Sequence, residues 1–336
     1  MKSLTLLEPG KLELRDISVP KPQQGEVLIR VRAATTCGTD LKAWRRGHPQ
    51  IPMPGPLGHE YSGDVVAVGD EAPFAVGDAI MGVHSAPCLE CEWCKKDQEN
   101  LCESIMATKV LGAYAEYLLI PARIAQRNVF VKPDSLSYDF ASLLEPLACV
   151  AQGVRELSKS GALQSPANTR VLVIGPGAIG LMFVSAFRQI GVTEVTIAGR
   201  NEDRLRVGEM LGAATVAYAS LPDRANYDIV VECTGMPEVW ERSVELPRRG
   251  GTVMWFGGCA SGTKVQLDTG RIHYDQISIL SPFHFGRDAV RMARQWLIEG
   301  AEKFAPIITG SRSLDQATET FQDLAAGRGL KYVFHP

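Results

Sequence analysis

The stretch from Arg170 to Gly180 reads Arg-Val-Leu-Val-Ile-Gly-Pro-Gly-Ala-Ile-Gly and indicates a strand, a tight turn and the start of a helix. Its apolar run is typical of a strand buried on both faces. The glycines follow the pattern G-x-G-x-x-G, in which Gly175 permits the turn, Gly177 lets a pyrophosphate approach and Gly180 lets the helix pack closely. A helix N-terminus also favours phosphate. We therefore predict a dinucleotide-binding loop, which includes Ile179, over the alternative of a glycine-rich packing turn.

Strands and helices alternate on both sides of this loop. Apolar strands are predicted near residues 194–198, 215–218, 227–232 and 251–257, with helices over 142–159 and 178–190. This alternation implies right-handed crossovers and a parallel α/β sheet, which we place at residues 147–283. Thr234 follows one of these strands and is expected to face the cofactor crevice, and Phe256 and Gly257 are expected near the nicotinamide ribose.

The position expected to distinguish the adenosine ribose comes about 20 residues after the loop, at the end of the second strand. The sequence there is Ala198-Gly199-Arg200-Asn201, so the usual acid is missing. Glycine leaves room for a 2′-phosphate, and Arg200 and Arg204 are suited to pair with it. This favours NADP(H) over NAD(H). The alternative is that both arginines are solvated.

The composition excludes several classes of protein. The chain has 336 residues, a net charge of −3 and eight cysteines. No basic field points to nucleic acid or to a membrane surface. The N-terminus carries an acid and a proline too early for a signal peptide, and no apolar run reaches the length of about 18 residues that a membrane span needs. We therefore expect a cytoplasmic protein, in which clustered cysteines bind metal more often than they form disulfides.

Four cysteines lie within 15 residues, at Cys88, Cys91, Cys94 and Cys102. Four thiolates at this spacing suit tetrahedral Zn²⁺, and a closed four-ligand shell is structural rather than catalytic. Disulfides are disfavoured by the compartment, and an iron–sulfur cluster usually has different spacing. A structural zinc lobe is predicted at about residues 85–105.

A second set of candidate metal ligands is dispersed along the chain. Cys37-Gly38-Thr39-Asp40 is interpreted as a loop after a strand, Gly58-His59-Glu60 follows a Pro/Gly-rich segment, and Glu145 opens a predicted helix. One cysteine, one histidine and carboxylates form a plausible open zinc site. From the residues alone, a histidine such as His59 is more often a satisfied core histidine, and a cysteine such as Cys37 a buried small apolar group.

Cys-Gly-Thr-Asp, Gly-His-Glu, the four-cysteine lobe, Glu-Pro-Leu-Ala and the glycine loop occur in this order. The set resembles the zinc-dependent medium-chain dehydrogenase/reductase family, in its sorbitol and threonine dehydrogenase branch. The resemblance implies a GroES-like β-barrel catalytic domain at residues 1–146 and 284–336, a Rossmann domain at 147–283, and an active site in the cleft between them. It also implies a homodimer or homotetramer.

The same resemblance implies roles for individual residues. Cys37, His59 and Glu60 would hold a catalytic zinc, and Glu145 would be a fourth ligand or hold the zinc-bound water. Asp40 would accept a hydrogen bond from His59. Thr39 would begin a proton relay. Relatives often carry histidine where this chain has Lys42, which leaves three roles open for that lysine: relaying protons, neutralising an anionic substrate, or facing solvent.

The expected reaction is hydride transfer between a nicotinamide cofactor and a secondary alcohol or ketone, with two zinc ions per chain. The expected substrate is a polyol, sugar or cyclitol derivative. One alternative is a threonine-type 3-dehydrogenase, and another is a non-catalytic nucleotide-binding protein that retains the fold. No nucleic-acid or membrane partner is expected.

Overall fold

The computed structural model describes residues 1–336. The chain forms two compact units, which are described separately. The first unit comprises Met1–Ala148, Phe285–Ala301 and Ile308–Pro336, and the second comprises Cys149–His284 and Glu302–Ile307.

The strands, in chain order, are β1 Lys2–Glu8, β2 Lys11–Asp16, β3 Val27–Thr35, β4 Gly55–Pro56, β5 Tyr61–Val68, β6 Ala79–Gly82, β7 Tyr117–Ile120, β8 Val129–Val131, β9 Arg170–Ile174, β10 Glu194–Gly199, β11 Ala214–Ala217, β12 Tyr227–Glu232, β13 Pro247–Trp255, β14 Ser278–Leu280, β15 Ile308–Arg312 and β16 Lys331–Phe334.

The α-helices are α1 Gly38–Arg46, α2 Glu92–Lys95, α3 Ala122–Asn128, α4 Tyr138–Ala141, α5 Leu144–Lys159, α6 Ala178–Gln189, α7 Glu202–Met210, α8 Pro237–Ser243, α9 Thr269–Tyr274, α10 Arg287–Gly300 and α11 Ala317–Ala325. Short 3₁₀ helices cover Glu99–Leu101, Pro166–Asn168, Tyr218–Ser220, Ala301–Ile307 and Leu314–Gln316. None of the helices combines the length and apolar character that crossing a bilayer requires.

The second unit is built on a six-stranded sheet in the order β11-β10-β9-β12-β13-β14. Every neighbouring pair is parallel. The central strand β9 is buried on both faces except at its first residue, as its apolar run predicts. The strand order reverses between β9 and β12, which is where ligands bind in open parallel sheets.

The first unit contains a three-stranded sheet, β2-β1-β4, and a seven-stranded sheet in which β15-β16-β3-β5-β6-β8 are neighbours and β7 also pairs with β3. All pairs in the larger sheet are antiparallel except β15 with β16. Strand β3 is central, and its residues are buried apart from Arg30 and Arg32. The end of β3 leads directly to Cys37, so the sheet positions this cysteine.

The prediction that Cys37-Gly38-Thr39-Asp40 forms a loop is wrong. Cys37 is the N-cap of α1, and its Sγ accepts a hydrogen bond from the Thr39 N–H. Asp40 lies in the first turn, where an acid is favoured by the helix dipole. Thr39, Asp40 and Lys42 are therefore fixed by a helix rather than carried on a loop.

Candidate functional site

The glycine loop in the second unit has three glycines with different steric requirements. Gly175 has φ +107°, and a Cβ added there would lie 2.8 Å from Thr234 Cγ2. A Cβ at Gly180 would lie 2.0 Å from the Gly175 carbonyl oxygen, which requires close packing of helix on turn. Gly177, by contrast, has φ −82° and nothing within 4 Å of an added Cβ. The fold therefore requires Gly175 and Gly180, whereas the space beside Gly177 is open.

A cavity of about 320 Å³ lies beside this loop, within the size range of small-molecule sites. It is bordered by the ends of β9, β10 and β12, at the point where the strand order reverses. Its lining residues are Ile174, Gly175, Pro176, Gly177, Ala198, Gly199, Arg200, Asn201, Arg204, Tyr218, Cys233, Thr234, Met236 and Val239. The predicted residues Ile179, Phe256 and Gly257 are not among them.

The cavity end near β10 is rich in cationic groups. The Arg200 guanidinium lies 5.6 Å from the Tyr218 ring centroid, and Arg242 lies 5.4 Å from the same centroid. Arg204 is half-buried, and burial lowers the pKa of its guanidinium. Sequence reasoning missed Tyr218. An aromatic residue placed to stack with Arg200 has no motif of its own.

The requirement for glycine at position 199 also has a steric cause. A Cβ at this position would lie 2.3 Å from Pro176 Cγ. The loop therefore excludes an acidic side chain at the end of β10 unless Pro176 moves. Thr234 is held nearby, since its backbone N–H donates to Glu232 Oε1 at 2.5 Å.

The four cysteines of the lobe converge in the first unit. Their sulfur atoms all lie within 4.8 Å of one another, with Cys88 and Cys94 at 3.9 Å and Cys91 and Cys94 at 3.6 Å. Zinc–sulfur bonds of about 2.3 Å in a tetrahedron place the sulfurs about 3.8 Å apart, so the cluster fits zinc. These distances exceed the S–S bond of about 2.05 Å, and no disulfide joins them.

One ion pair fixes the lobe to α10. The Arg287 guanidinium donates to Glu99 Oε1 from Nη2 at 2.6 Å and from Nε at 2.9 Å, while its backbone N–H donates to Oε2 at 2.9 Å. Because the pair is bidentate, its geometry is more specific than that of an ordinary surface ion pair.

The second cluster consists of Cys37, His59 and Glu60, whose ligand atoms lie within 4.8 Å of one another. Cys37 is supplied by the N-terminus of α1, and the other two precede β5. His59 and Glu60 are 7% and 0% exposed. One thiolate, one imidazole and one carboxylate are zinc ligands, and three protein ligands leave a coordination position open.

His59 is oriented from behind by a buried carboxylate. Asp40 Oδ1 lies 3.5 Å from His59 Nδ1, and the Tyr114 hydroxyl donates to Asp40 Oδ2 at 2.6 Å. Because Nδ1 is directed at Asp40, Nε2 is the ring nitrogen left for a metal. Burial by itself lowers the pKa of His59, but the charges of Asp40 and Cys37 outweigh it and raise that pKa well above its ordinary value. The same field favours a metal cation at the cluster.

Glu145 and His84 form a second carboxylate–imidazole pair beside the cluster. His84 Nδ1 lies 3.1 Å from Glu145 Oε1. The His84 ring is 5.0 Å from the His59 ring and 5.9 Å from that of Phe285. Burial, together with the charges on His59 and Lys109, holds the pKa of His84 well below its usual value. Sequence reasoning missed His84, although a histidine just ahead of the cysteine lobe was a visible signal.

Glu60 is held by a buried lysine from the end of the chain. Lys331 Nζ lies 2.8 Å from Glu60 Oε1 and 2.5 Å from Oε2. Burial lowers the pKa of Lys331, but the charges of Glu60 and Cys37 outweigh it, so this pKa is raised. Lys42, in contrast, is exposed on α1.

Comparison with known proteins identifies the family. The sequence profile of the alcohol dehydrogenase GroES-like domain matches residues 23–132, and that of the glucose dehydrogenase C-terminus matches residues 138–326. The chain is 30% identical to an L-threonine 3-dehydrogenase of Pseudoalteromonas atlantica, over the full length of both. It is 31% identical to a D-altritol 5-dehydrogenase of Agrobacterium fabrum, over 86% of this chain and 85% of that one.

Solved structures agree with this result. A protein of Sinorhizobium meliloti described as a zinc-binding dehydrogenase, bound to NADP, superposes with a TM-score of 0.87 at 29% identity, covering 100% of this chain and 99% of that one. An alcohol dehydrogenase of Thermus sp. ATN1 has the same fold, with a TM-score of 0.89 at 23% identity and complete coverage of both chains.

The chain belongs to the zinc-dependent medium-chain alcohol dehydrogenase family, in its sorbitol and threonine dehydrogenase-like branch. The predicted fold, a GroES-like barrel plus a Rossmann sheet, is confirmed. The protein is an NAD(P)-dependent oxidoreductase that acts on the CH–OH group of a small molecule.

Proposed function

We propose that this enzyme oxidises a secondary alcohol of a polyol, sugar or cyclitol derivative, with NADP⁺ preferred over NAD⁺ and a zinc ion held by Cys37, His59 and Glu60. The observation that carries this proposal is the convergence of these three ligand types within 4.8 Å, from separate parts of the chain. A shell of three protein ligands suits catalysis, whereas a structural site is closed.

Zinc bound there supplies a Lewis acid that lowers the pKa of a coordinated alcohol, and the nicotinamide supplies the hydride acceptor. The chain's own residues do the positioning. Asp40 lies 3.5 Å from His59 Nδ1, so Nε2 is the nitrogen that would be left to hold the metal. His84 holds the Glu145 carboxylate, which lies outside the group of three ligands but close enough for its charge to act on Glu60. We assign Glu145 to bind the metal as a fourth ligand or to hold the substrate oxygen. We assign the first proton transfer to the hydroxyl of Thr39, the second residue of α1.

The preference for NADP(H) rests on the cationic end of the second unit's cavity. Arg200, stacked on Tyr218, and the half-buried Arg204 border it. Because Gly199 carries no side chain, no carboxylate at that position repels a 2′-phosphate. Charge-assisted hydrogen bonds from guanidinium to phosphate are the strong kind.

We also propose two zinc ions per chain, the second in the Cys88, Cys91, Cys94 and Cys102 lobe, and a homodimer or homotetramer. We assign catalysis to residues 1–146 and 284–336 and dinucleotide binding to 147–283, a division that the two compact units support. We also propose a cytoplasmic location, because a cysteine cluster whose spacing suits zinc is typical of a reducing compartment.

Oxidation of the L-threonine β-hydroxyl is the second candidate. It is favoured by the full-length similarity to threonine 3-dehydrogenases. The same ligand cluster serves both reactions, so the pocket around it decides between them. A non-catalytic nucleotide-binding role is disfavoured, since such a protein has no need of an open ligand cluster.

The test is a steady-state kinetic screen of the zinc-loaded enzyme. Hexitols, pentitols, cyclitols and L-threonine are each assayed with NADP⁺ and with NAD⁺. We expect saturable turnover with a polyol or cyclitol and a higher kcat/KM for NADP⁺. Saturation with L-threonine alone would establish the second candidate instead. No turnover of any secondary alcohol, in protein that retains its zinc and binds dinucleotide, would overturn both.

A further inference from the structure

Lys331 is buried against Glu60, one of the three candidate metal ligands. Its side chain is 3% exposed and that of Glu60 is 0% exposed. The ammonium group donates to both carboxylate oxygens, at 2.8 Å to Oε1 and 2.5 Å to Oε2, and to the Thr36 carbonyl oxygen at 2.5 Å. All three ammonium hydrogens therefore have acceptors.

The register of the sheet fixes this lysine in place. Strand β16 pairs with β3 so that Val333 lies opposite Thr35. Beyond that pair, the Thr36 N–H donates to the Tyr332 carbonyl oxygen at 2.9 Å, and the Tyr332 N–H donates to Thr36 Oγ1 at 3.0 Å. Lys331 is thus held beside the end of β3, next to Cys37, by backbone pairing rather than by side-chain packing alone.

The two oxygens of Glu60 differ in how many donors they receive. Oε2 accepts from Lys331 and also from the Thr35 hydroxyl at 2.5 Å, whereas Oε1 accepts only from Lys331. A carboxylate oxygen offers about two lone-pair sites. Both sites on Oε2 are occupied, so one site on Oε1 is the position left for a metal ion.

We propose that Lys331 is a positioning residue that restricts Glu60 to one-oxygen ligation through Oε1 and thereby keeps a coordination position free for the substrate oxygen. The proposal rests on the proposed function, because it needs a catalytic metal at Cys37, His59 and Glu60. It adds a determinant of reactivity that lies outside the ligand motifs, at the far end of the chain.

Replacing Lys331 with methionine separates this role from simple support of the fold. The variant removes a positive charge next to the metal and frees a lone pair on Oε2. Glu60 can then ligate through both oxygens, which strengthens metal retention while filling the open position. We expect zinc to leave Lys331→Met no faster than it leaves the wild type, while kcat falls about 10–100-fold.

The experiment follows zinc release from the loaded enzyme into a chromophoric chelator, with Cys37→Ser used to identify which phase belongs to this site. Turnover is measured on the same samples with the alcohol found in the substrate screen. The visible absorption of Co²⁺ placed at the site is a third readout, and it weakens when four-coordinate cobalt becomes five-coordinate. Lys331→Arg keeps the charge and the donors and is expected to retain at least a third of wild-type kcat.

Thr35→Val is the milder second variant, and it tests the proposal if Lys331→Met does not fold. It removes one donor from Oε2 and should change turnover and cobalt absorption in the same direction by a smaller factor. Zinc release faster than wild type in either folded variant would overturn the proposal, as would unchanged kcat in Lys331→Met. A failed substrate screen leaves the chelator and cobalt readouts intact, so the two proposals fail separately.

Discussion

Replacing Gly177 with alanine tests whether a glycine is required by a ligand rather than by the fold. In the free protein an added Cβ has nothing within 4 Å, and φ is −82°, which alanine adopts readily. At Gly180, three residues later, an added Cβ would lie 2.0 Å from a backbone carbonyl oxygen. Both substitutions add one methyl group at the start of α6, so each is the control for the other.

The two substitutions are expected to affect different quantities: one the affinity for dinucleotide, the other the stability of the free protein. Gly177→Ala should leave the free protein within about 1 kcal/mol of wild-type stability, because the gain from restricting the unfolded chain is opposed by the loss of a favoured N-cap residue of α6. Dinucleotide binding should weaken by about 1–3 kcal/mol, the usual cost of overpacking, which is about 5–150-fold in Kd. Gly180→Ala should instead lose about 1–3 kcal/mol of stability before any ligand is added.

Thermal unfolding of the free proteins and calorimetric titration with NADP⁺ provide the two readouts. Gly177→Ala should melt close to the wild-type temperature, and Gly180→Ala should melt several degrees lower. If Gly177→Ala binds NADP⁺ with the wild-type Kd, no pyrophosphate passes over this residue and the loop is a packing turn. If Gly177→Ala destabilises the free protein as much as Gly180→Ala does, the space beside Gly177 is not open.

Three other substitutions test separate parts of the molecule. Arg200→Ala should raise the KM for NADP⁺ about 10–100-fold and that for NAD⁺ far less, whereas Arg206→Ala, an exposed arginine in the helix α7 that follows Arg200, should change neither. Metal analysis should find two zinc ions per wild-type chain and one in Cys94→Ser, and one in the wild type would contradict the two-site proposal. Asp228→Asn should lose about 1–2 kcal/mol in unfolding at pH 7, because the Arg170 N–H and the Arg248 guanidinium donate to this carboxylate at 2.7 and 2.5 Å. These bonds outweigh burial and lower the pKa of Asp228, so the difference from wild type should close as pH falls below about 4, where the unfolded state protonates first; a difference that persists there would contradict this assignment.

The fold could be predicted mainly where one strand is buried on both faces. The apolar run before Gly175 located β9, and the alternation around it indicated a parallel sheet. The strand order β11-β10-β9-β12-β13-β14 could not be predicted, because it depends on which crossovers pack on which face of the sheet. Strand β13 begins at Pro247, four residues before the predicted start, since its first half is largely exposed and lacks an apolar pattern.

Helix α1 was not predicted either, because its sequence also lacks a clear apolar pattern. Its glycine at the first helical position and its polar composition hid the periodic pattern of a nine-residue helix. Two local signals were available: Asp40 in the first turn, and Arg45 and Arg46 in the last. Charges placed to complement a helix dipole locate short helices that apolar periodicity does not reveal.

The site residues that belong to a recognisable sequence motif could be predicted. The residues that contact and orient them could not. His84 and Lys331 have no motif, yet each contacts a candidate ligand or its neighbour. Lys331 carried one signal, since it is a single lysine in the otherwise apolar strand β16. A buried lysine is rare unless it is paired, so it indicated a carboxylate partner but not which one.

Three buried carboxylates of the first unit show that the charge balance of the site depends on the partners of the ligands as well as on the ligands. Asp40 faces His59 at 3.5 Å, Glu60 faces Lys331 at 2.5 Å and Glu145 faces His84 at 3.1 Å. Only the lysine is a permanent cation, because the pKa of His84 is held well below its usual value and His59 must be neutral once it binds a metal. Burying two further carboxylates without a cation would cost several kcal/mol each. A divalent metal at the cluster offsets this cost when His59 is a neutral ligand, so the charge pattern is compatible with the metal site that the ligand types indicate.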